Sequence, residues 1–361
     1  MTKFHPLKVT DVRRETADTV SIAFEVPEAE KDLFSFKAGQ YLTLRTDING
    51  EDIRRSYSIC ASPFEHELRV AIKKVEGGKF STWANKDLKK GDILDVMPPM
   101  GHFTPQIDSS NHKSYLLVAA GSGITPILSI IKTLLVADEG SNITLIYGNK
   151  GNATIIFKEE LEALKNKYMN RLTLIHVFSK EQLDTPLLNG RLNGEKLGDL
   201  CKILIDLENL DEVYICGPTE MTESVKDWLI NAQFNKDHIY FELFNTPLPT
   251  AGSKENPKVE IIKKFAGEFS QVTVILDGKE THFELATNGD TILDAATKHG
   301  ADAPYACKGA VCCTCRAQIV EGEVQMDLNY SLTEAEVANG FILTCQAHPT
   351  TENVVINFDV A

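Results

Sequence analysis

Four of the chain's eight cysteines lie close together in the segment CKGAVCCTC, which runs from Cys307 to Cys315. Counted from Cys307, the spacing is Cys-x4-Cys-x2-Cys through Cys312 and Cys315, and Cys345 follows after 29 intervening residues. Thiolates at such positions can form disulfides, bind zinc or hold an iron–sulfur cluster. These three alternatives imply different tasks for the rest of the chain.

The spacing of these cysteines favours a [2Fe–2S] cluster, for which one loop supplies three ligands and a distant segment the fourth. Structural zinc usually takes two closely spaced pairs of ligands. Here only Cys312 and Cys315 make such a pair, because Cys345 has no cysteine near it in the sequence. We therefore expect the ligands to be Cys307, Cys312, Cys315 and Cys345. The other thiols are expected to be packed or inert: Cys60, Cys201 and Cys313.

A second pattern, Arg55-Ser56-Tyr57-Ser58, lies on a predicted strand. An Arg can neutralise a phosphate, and a Tyr two residues further along lies on the same strand face and can stack on an aromatic ring. The segment Gly77–Thr82 then opens a predicted helix, whose N-terminal N–H groups can bind an anion. Each pattern alone also fits an ordinary exposed strand or turn, but together they indicate a pyrophosphate beside a stacked ring, as in FAD.

A third pattern, Gly121-Ser122-Gly123-Ile124-Thr125-Pro126, joins an apolar strand to a helix. Such a turn can wrap the pyrophosphate of a dinucleotide, although Pro126 replaces the usual third glycine, and an ordinary Gly-rich turn remains possible. Cys216-Gly217-Pro218 ends a later strand, where ligands of parallel sheets bind, so Cys216 is a candidate to face a nicotinamide, and a buried cysteine before a helix that starts at Gly-Pro is the alternative. Ser179 and Lys180 end another strand and are candidates for a 2′-phosphate, which favours NADPH over NADH, although a solvated Ser-Lys pair fits this place equally well.

The elements that position these residues fall into three patterns. Short alternating runs over residues 1–108 predict an antiparallel β-barrel. Apolar strands that alternate with helices over residues 112–245 predict a parallel α/β sheet. The Pro-rich residues 246–269 have the composition of a linker, and residues 270–361 predict a small α+β module of the β-grasp type that carries the cysteines.

Composition and charge narrow the function classes. The 361 residues are 43% hydrophobic and 24% charged, with a net charge of −14, which argues against a nucleic-acid binder. Residues 271–361 hold six Asp and seven Glu against three Lys and one Arg, so their net charge is 4 − 13 = −9. No apolar run is as long as a signal peptide or a membrane span needs. We therefore expect no contact with a membrane and a location in the cytoplasm, a compartment where disulfides are rare.

Taken in order, the motifs Arg-x-Tyr-Ser, Gly-Gly-x-x-Ser, Gly-x-Gly-x-Thr-Pro and Cys-Gly-Pro resemble the ferredoxin–NADP reductase family. The C-terminal module resembles a plant-type [2Fe–2S] ferredoxin, a fusion similar to the oxygenase reductases, and the resemblance covers nearly the whole chain. It implies FAD contacts at Arg55, Ser56, Tyr57, Ser58, Gly78, Lys79, Phe80, Ser81, Thr82 and Phe244. It implies NADPH contacts at Gly121, Gly123, Thr125, Ser179, Lys180, Cys216, Gly217 and Pro218.

The resemblance also implies a reaction. Ser58, Cys216 and Glu242 would lie beside a hydride path from NADPH to FAD, and electrons would then pass through the [2Fe–2S] cluster to an oxygenase component. The expected partner is a di-iron epoxidase that acts on an aromatic acyl-CoA. A Rieske-type or steroid hydroxylase system is the alternative, and a zinc-stapled binding module on a flavoprotein scaffold is a more distant one. Lys180 stands where many relatives have Arg, which keeps the charge but loses the bidentate fork.

Overall fold

The computed structural model describes residues 3–108, 110, 112–244 and 269–360. The chain forms two compact units, one of which consists of His5–Phe244 while the other includes the cysteine module. The predicted linker falls almost entirely on residues 245–268, which lie outside the described residues. Within the described residues, no helix is long and apolar enough to cross a membrane.

The first part of the larger unit is a six-stranded antiparallel sheet with strand order β4-β3-β6-β1-β2-β5. A bridge between Ile59 and Val70 brings the two ends of the sheet together, as in a barrel. Helix α1 (Lys79–Lys86) follows β5. The strands are β1 (His5–Thr16), β2 (Thr19–Glu25), β3 (Tyr41–Ile48), β4 (Glu51–Ser58), β5 (Leu68–Lys73) and β6 (Ile93–Val96).

The second part is a five-stranded parallel sheet with strand order β11-β10-β7-β8-β9 and helices between its strands. The strands are β7 (Ser114–Ala120), β8 (Asn142–Asn149), β9 (Leu172–Phe178), β10 (Glu212–Gly217) and β11 (Ile239–Leu243). The helices are α2 (Ile124–Ala137), α3 (Lys158–Lys167), α4 (Gly194–Ile203) and α5 (Thr219–Asn231). Apolar residues of β7, β8 and β10 are fully buried, as expected for strands covered on both faces.

The cysteine module is a mixed five-stranded sheet with strand order β13-β12-β18-β14-β16, plus the pair β15-β17. Its first two strands form a hairpin, and the turn residues Asp277 and Gly278 both have positive φ, at 53° and 69°. The helices are α6 (Ile292–Lys298) and α7 (Glu334–Ala338). The strands are β12 (Phe269–Leu276), β13 (Lys279–Ala286), β14 (Arg316–Glu321), β15 (Val324–Met326), β16 (Phe341–Leu343), β17 (Ala347–Pro349) and β18 (Asn353–Asn357).

Candidate functional site

Strand β4 presents an aromatic surface at its end. Arg55 and Tyr57 share one face of this strand, because side chains alternate. The ring centroid of Tyr57 lies 5.5 Å from that of Phe80, and Phe80 meets Trp83 edge-on at 5.6 Å. Packing around the Tyr57 hydroxyl raises its pKa, with a smaller opposing effect from Arg55. Tyr57 therefore stays neutral and offers a ring face held by α1.

The start of α1 is shaped by local hydrogen bonds. The Ser81 hydroxyl accepts from the backbone N–H of Val75 at 3.1 Å and donates to the Gly78 carbonyl at 3.4 Å. A Cβ added at Gly78 would lie 2.5 Å from that hydroxyl, so the turn needs a glycine. Among the described residues, no side chain caps α1, which leaves its first N–H groups available for an anion.

The remaining predicted FAD contacts differ in their exposure. Arg55 is exposed, and its guanidinium donates to the neighbouring Arg54 carbonyl at 2.6 Å. The exposed ammonium of Lys79 pairs with the carboxylate of Glu51. Ser56 shares a hydroxyl contact of 3.2 Å with Thr43, while Phe80 is buried beneath Tyr57. Phe80 can therefore support a ligand indirectly, through its packing against Tyr57. Thr82 is half-buried in the first turn of α1.

Ser58, Cys216 and Glu242 come together from three strands. The Ser58 hydroxyl donates to Oε2 of Glu242 at 3.0 Å, and Cys216 pairs with Glu242 in the register of β10 and β11. Packing around the carboxyl group raises the pKa of Glu242 to about 7, although the hydrogen bond from Ser58 opposes this. Burial also raises the pKa of Cys216, which is 0% exposed, so this thiol is neutral. Phe244 packs against the apolar core that contains Cys216.

The turn before α2 is held close to β10. Gly121 has a φ of +55°, and its carbonyl accepts from the Tyr147 hydroxyl at 3.0 Å. A Cβ at Gly123 would lie 2.0 Å from the Cys216 carbonyl oxygen, so only glycine fits there. The Thr125 hydroxyl donates to the Ser122 carbonyl at 3.0 Å and closes the turn.

A cavity of about 640 Å³ opens at the carboxyl ends of the parallel strands. Its lining residues include three predicted ones, Gly121, Ser179 and Pro218. Three cationic side chains also line it, namely Lys73, Lys150 and Arg191, whereas Lys180 is exposed and is not among the lining residues. Lys73 comes from β5, and its Nζ lies 4.0 Å from the position of a Cβ added at Gly121.

In the cysteine module, the four predicted ligands form two thiol pairs. The Sγ atoms of Cys307 and Cys312 lie 3.1 Å apart, and the Gly309 N–H donates to Cys307 at 3.3 Å. A hydrogen bond from Cys312 lowers the pKa of Cys307 to about 6. A hydrogen bond between Cys315 and Cys345 in turn lowers the pKa of Cys345. In each pair, the hydrogen bond from the partner thiol thus lowers the pKa of one cysteine.

Cys313 lies apart from these pairs. Its Sγ contacts the Ser331 carbonyl oxygen at 3.5 Å, and its side chain belongs to the apolar core of the module. The neighbouring backbone is unusual, because Lys308 and Ala310 have positive φ angles of 51° and 64°. Across the described residues, no three Cys, His, Asp or Glu side chains are arranged to hold one metal ion.

Comparison with known families divides the chain in the same order. Residues 6–104 match an oxidoreductase FAD-binding domain, and residues 117–227 match an oxidoreductase NAD-binding domain. Residues 274–350 match a 2Fe-2S iron-sulfur cluster binding domain, and this range includes all four predicted ligands.

Relatives of known activity match along the whole length. A subunit of the 1,2-phenylacetyl-CoA epoxidase of Escherichia coli K12 is 44% identical over 359 residues, which are 99% of each chain. The ferredoxin reductase component of the 3-ketosteroid-9-alpha-monooxygenase of Rhodococcus rhodochrous is 35% identical, over 98% of this chain and 96% of the relative. This chain belongs to the oxygenase reductase family. The fold of the reductase also matches the solved structure of phthalate dioxygenase reductase, with a TM-score of 0.59, 22% identity and 98% of each chain covered.

These findings confirm several predictions made from the sequence. The reductase has the predicted multidomain fold, with an antiparallel FAD-binding sheet, a parallel NAD-binding sheet and a C-terminal ferredoxin domain. It is an oxidoreductase with domains for FAD, a nicotinamide dinucleotide and a 2Fe-2S cluster. The predicted resemblance to oxygenase reductases is likewise confirmed.

Sequence reasoning missed three cationic residues of the reductase cavity. Lys150 follows Asn149 at the end of β8, a place where a ligand-facing side chain is expected, so its position carried a usable signal. Lys73 lies on a strand of the FAD-binding sheet and Arg191 in a loop before α4. The sequence gives no spacing rule that would bring these two to the same cavity.

Proposed function

We propose that this reductase takes electrons from NADPH and passes them through FAD and a [2Fe–2S] cluster to a di-iron epoxidase that acts on phenylacetyl-CoA. The observation that carries the proposal is the 44% identity to the Escherichia coli epoxidase component over 99% of both chains. The three domains and their order supply every group that this route needs.

For FAD, the proposal assigns the ring to the face of Tyr57 and the phosphates to the uncapped start of α1. The aromatic packing of Tyr57 on Phe80 and the glycine-dependent turn at Gly78 support these roles. Arg55 is exposed and so is available to a phosphate. The FAD contacts in this proposal are Arg55, Ser56, Tyr57, Ser58, Gly78, Lys79, Phe80, Ser81, Thr82 and Phe244.

For the nicotinamide dinucleotide, the proposal assigns the pyrophosphate to the turn at Gly121 and Gly123, with Lys73 as an added cation. The nicotinamide would lie near Cys216, and the 2′-phosphate near Ser179. Lys150 and Arg191 line the cavity and are better placed for that phosphate than Lys180, which is why NADPH remains the proposed donor. Thr125, Gly217 and Pro218 would complete the site.

For the cluster, the donor set fits two iron ions better than one zinc ion. The pairs Cys307–Cys312 and Cys315–Cys345 would each supply the protein ligands of one iron. A tetrahedral zinc site would instead need its ligands around one point. Cys313 contacts Ser331 and is left out of the ligand set.

When bound, FAD would accept a hydride from NADPH, and the cluster would release single electrons toward the oxygenase. The chain's own residues orient the reactants and control protons. Ser58 holds a hydrogen bond to Oε2 of Glu242, and a carboxyl group with a pKa of about 7 can hold or release a proton there near neutrality. The neutral, fully buried Cys216 lies opposite Glu242 in the register of β10 and β11.

We also propose a cytoplasmic location. All eight cysteines lie in the described part of the chain, and none of them forms a disulfide there. Four of them are assigned to the cluster, and free thiols such as the other four, Cys60, Cys201, Cys216 and Cys313, are usual in a reducing compartment.

Reconstitution with two oxygenases tests the proposed partner. The purified reductase is combined with the other subunits of a phenylacetyl-CoA epoxidase or with the oxygenase component of a 3-ketosteroid monooxygenase. We expect NADPH oxidation coupled to product only in the first mixture. Coupled turnover only in the second mixture would contradict the proposed substrate, and the 35% identity to a 3-ketosteroid monooxygenase reductase makes that comparison necessary.

A further inference from the structure

Helix α2 carries a polar seam where the FAD-binding sheet meets the NAD-binding sheet. The Ser129 hydroxyl donates to the Ala61 carbonyl at 2.6 Å, and the hydroxyls of Thr133 and Ser62 lie 3.0 Å apart. Ser129 and Thr133 are 0% exposed. We call these contacts, together with Lys132 and Glu65, the interdomain seam. Ser129, Lys132 and Thr133 lie at i, i+3 and i+4 and so share one face of α2.

Lys132 is the charged centre of the interdomain seam. It is only 8% exposed, and its Nζ lies 3.1 Å from Oε2 of Glu65 in the FAD-binding part. The same ammonium forms an ion pair with Glu160 of α3 in the NAD-binding part. Burial by itself would lower the pKa of Lys132, but the carboxylates of Glu160 and Glu65 raise it, so the ammonium is charged. One buried cation thus joins a carboxylate from each part.

Stability alone does not account for this arrangement. Replacing a buried ion pair by apolar side chains of similar volume is often neutral or stabilising, because desolvation offsets the Coulomb attraction. The two parts already share an apolar core, to which Ala38 and Phe103 contribute from one side and Leu128 and Ile131 from the other. Apolar contacts are non-directional, whereas a buried ion pair favours one geometry.

The interdomain seam connects the two cofactor-binding segments by short paths. Helix α2 begins at Ile124, directly after the Gly121–Gly123 turn, and five residues of helix, about 8 Å, separate Ile124 from Ser129. On the other side, Ala61 follows Ser58 at the end of β4 by only three residues. A shift in the seam would therefore move the nucleotide turn relative to the strand that carries Tyr57.

We propose that Lys132 is a positioning residue for hydride transfer: its ion pairs with Glu65 and Glu160 fix α2 against the FAD-binding sheet and so set the approach of the nicotinamide to the flavin. The inference rests on the proposed NADPH-to-FAD route. Lys132 does not line the cavity and is not among the residues that we assign to FAD or NADPH, so its effect on the reaction is indirect.

The test uses the cofactor-loaded protein and Lys132→Met, which keeps the length of the side chain and removes the charge. In anaerobic stopped-flow mixing, the rate constant of flavin reduction at saturating NADPH should fall by about ten- to a hundredfold. The apparent Kd for NADPH should change by less than about twofold, since NADPH contacts are unchanged. Lys132→Arg should restore a rate within about threefold of the wild type, because the charge returns.

A matched control removes another partly buried ion pair that lies within one part. Lys113 and Glu212 form such a pair at 2.5 Å inside the NAD-binding part. Lys113→Met should leave the rate of flavin reduction unchanged. An equal loss of rate in this control would show that any lost ion pair has the same effect and would overturn the positioning role.

A wild-type rate of flavin reduction in Lys132→Met would also overturn the proposal. If that variant does not fold, Glu65→Gln takes its place, since the amide keeps an acceptor oxygen for the Ser62 N–H, which now donates at 2.8 Å. An unchanged rate in Glu65→Gln would then overturn the proposal. If NADPH does not reduce the flavin of the wild-type protein, the proposed function itself is overturned before any variant is compared.

Discussion

The surroundings of Glu242 give its carboxyl group an unusually high pKa. Packing raises the pKa of this carboxyl group from the ordinary 4.5 to about 7, and the hydrogen bond from Ser58 reduces the effect. A group whose folded pKa is raised binds its proton more tightly in the folded state. It therefore stabilises the fold below about pH 4.5, and this contribution is lost as the pH rises through about 7.

The pH dependence of Glu242→Gln tests this property. The amide stays neutral, so the wild type should lose stability relative to the variant between about pH 5 and pH 8. The relative loss should be on the order of 1–3 kcal/mol, given about 1.4 kcal/mol per pKa unit. Thermal unfolding of both FAD-loaded proteins across this range gives the difference. If the stabilities of the two proteins change with pH in parallel, the carboxyl group of Glu242 is already ionised at the low end of this pH range.

The cations of the cavity give a second prediction at the residue scale. Lys150→Ala and Arg191→Ala should each raise the KM for NADPH about tenfold, since a lost contact with a phosphate costs roughly 1.5–3 kcal/mol. The KM for NADH should change little in both variants. Lys180→Ala is the matched control, because that exposed lysine does not line the cavity. If Lys180→Ala has the largest effect and the other two have none, the 2′-phosphate lies elsewhere.

At the scale of elements, the contact between the start of α2 and the end of β10 fixes the Gly121–Gly123 turn, to which we assign the nucleotide pyrophosphate in our proposal. A side chain at Gly123 would overlap the Cys216 carbonyl at 2.0 Å, and backbone atoms cannot move away cheaply. Gly148 lies in the same sheet, but its nearest atom would be a Leu192 side-chain carbon at 3.2 Å. These two glycines therefore form a matched pair.

Gly123→Ala should destabilise the NAD-binding part by about 2 kcal/mol or more and weaken NADPH binding at least tenfold. Gly148→Ala should cost less than about 1 kcal/mol, because a side chain can give way. Thermal unfolding and NADPH titration of the FAD-loaded protein measure both effects. Equal stability of the two variants would mean that α2 can shift away from β10 without loss.

The elements that the sequence predicts best are those with strong apolar patterns. The runs SYLLVAAG and EVYICG form β7 and β10, and the cysteine spacing alone identifies the cluster module. Strand β1 is hard to recognise from the sequence, because HPLKVTDVRRET mixes charged and apolar residues along a half-buried strand. Helix α3 begins only at Lys158, although the apolar residues Ile155 and Ile156 precede it, since Phe157 takes a left-handed φ of 60° that the sequence pattern does not reveal.

The site was less predictable than the fold. The glycine turns and the thiol spacing are local features, so the sequence shows them directly. The hydrogen bond between Ser58 and Glu242 spans 184 positions, and Lys73 reaches the cavity from the other sheet. Contacts of this kind depend on how the two sheets meet, which composition and periodicity do not encode.

At the scale of the whole molecule, the uneven charge bears on electron delivery. Residues 271–361 carry a net charge of −9 out of the total of −14. If the acceptor is docked by this charge, the rate of reduction of the oxygenase should fall several-fold between about 20 mM and 300 mM salt, since screening shortens the Debye length to below about 10 Å. NADPH-dependent ferricyanide reduction by the same protein is the control. A salt-independent rate with the oxygenase would exclude electrostatic docking.

The order of reduction after mixing with NADPH tests the central claim most directly. Anaerobic stopped-flow spectroscopy of the loaded protein should show loss of flavin absorbance first and loss of iron–sulfur absorbance afterwards. Cys345→Ser should retain the flavin phase and lose the iron–sulfur bands, whereas Cys313→Ser, which alters a thiol that contacts Ser331, should retain both. Iron–sulfur reduction that precedes flavin reduction, or that persists in Cys345→Ser, would contradict the electron route proposed for this reductase.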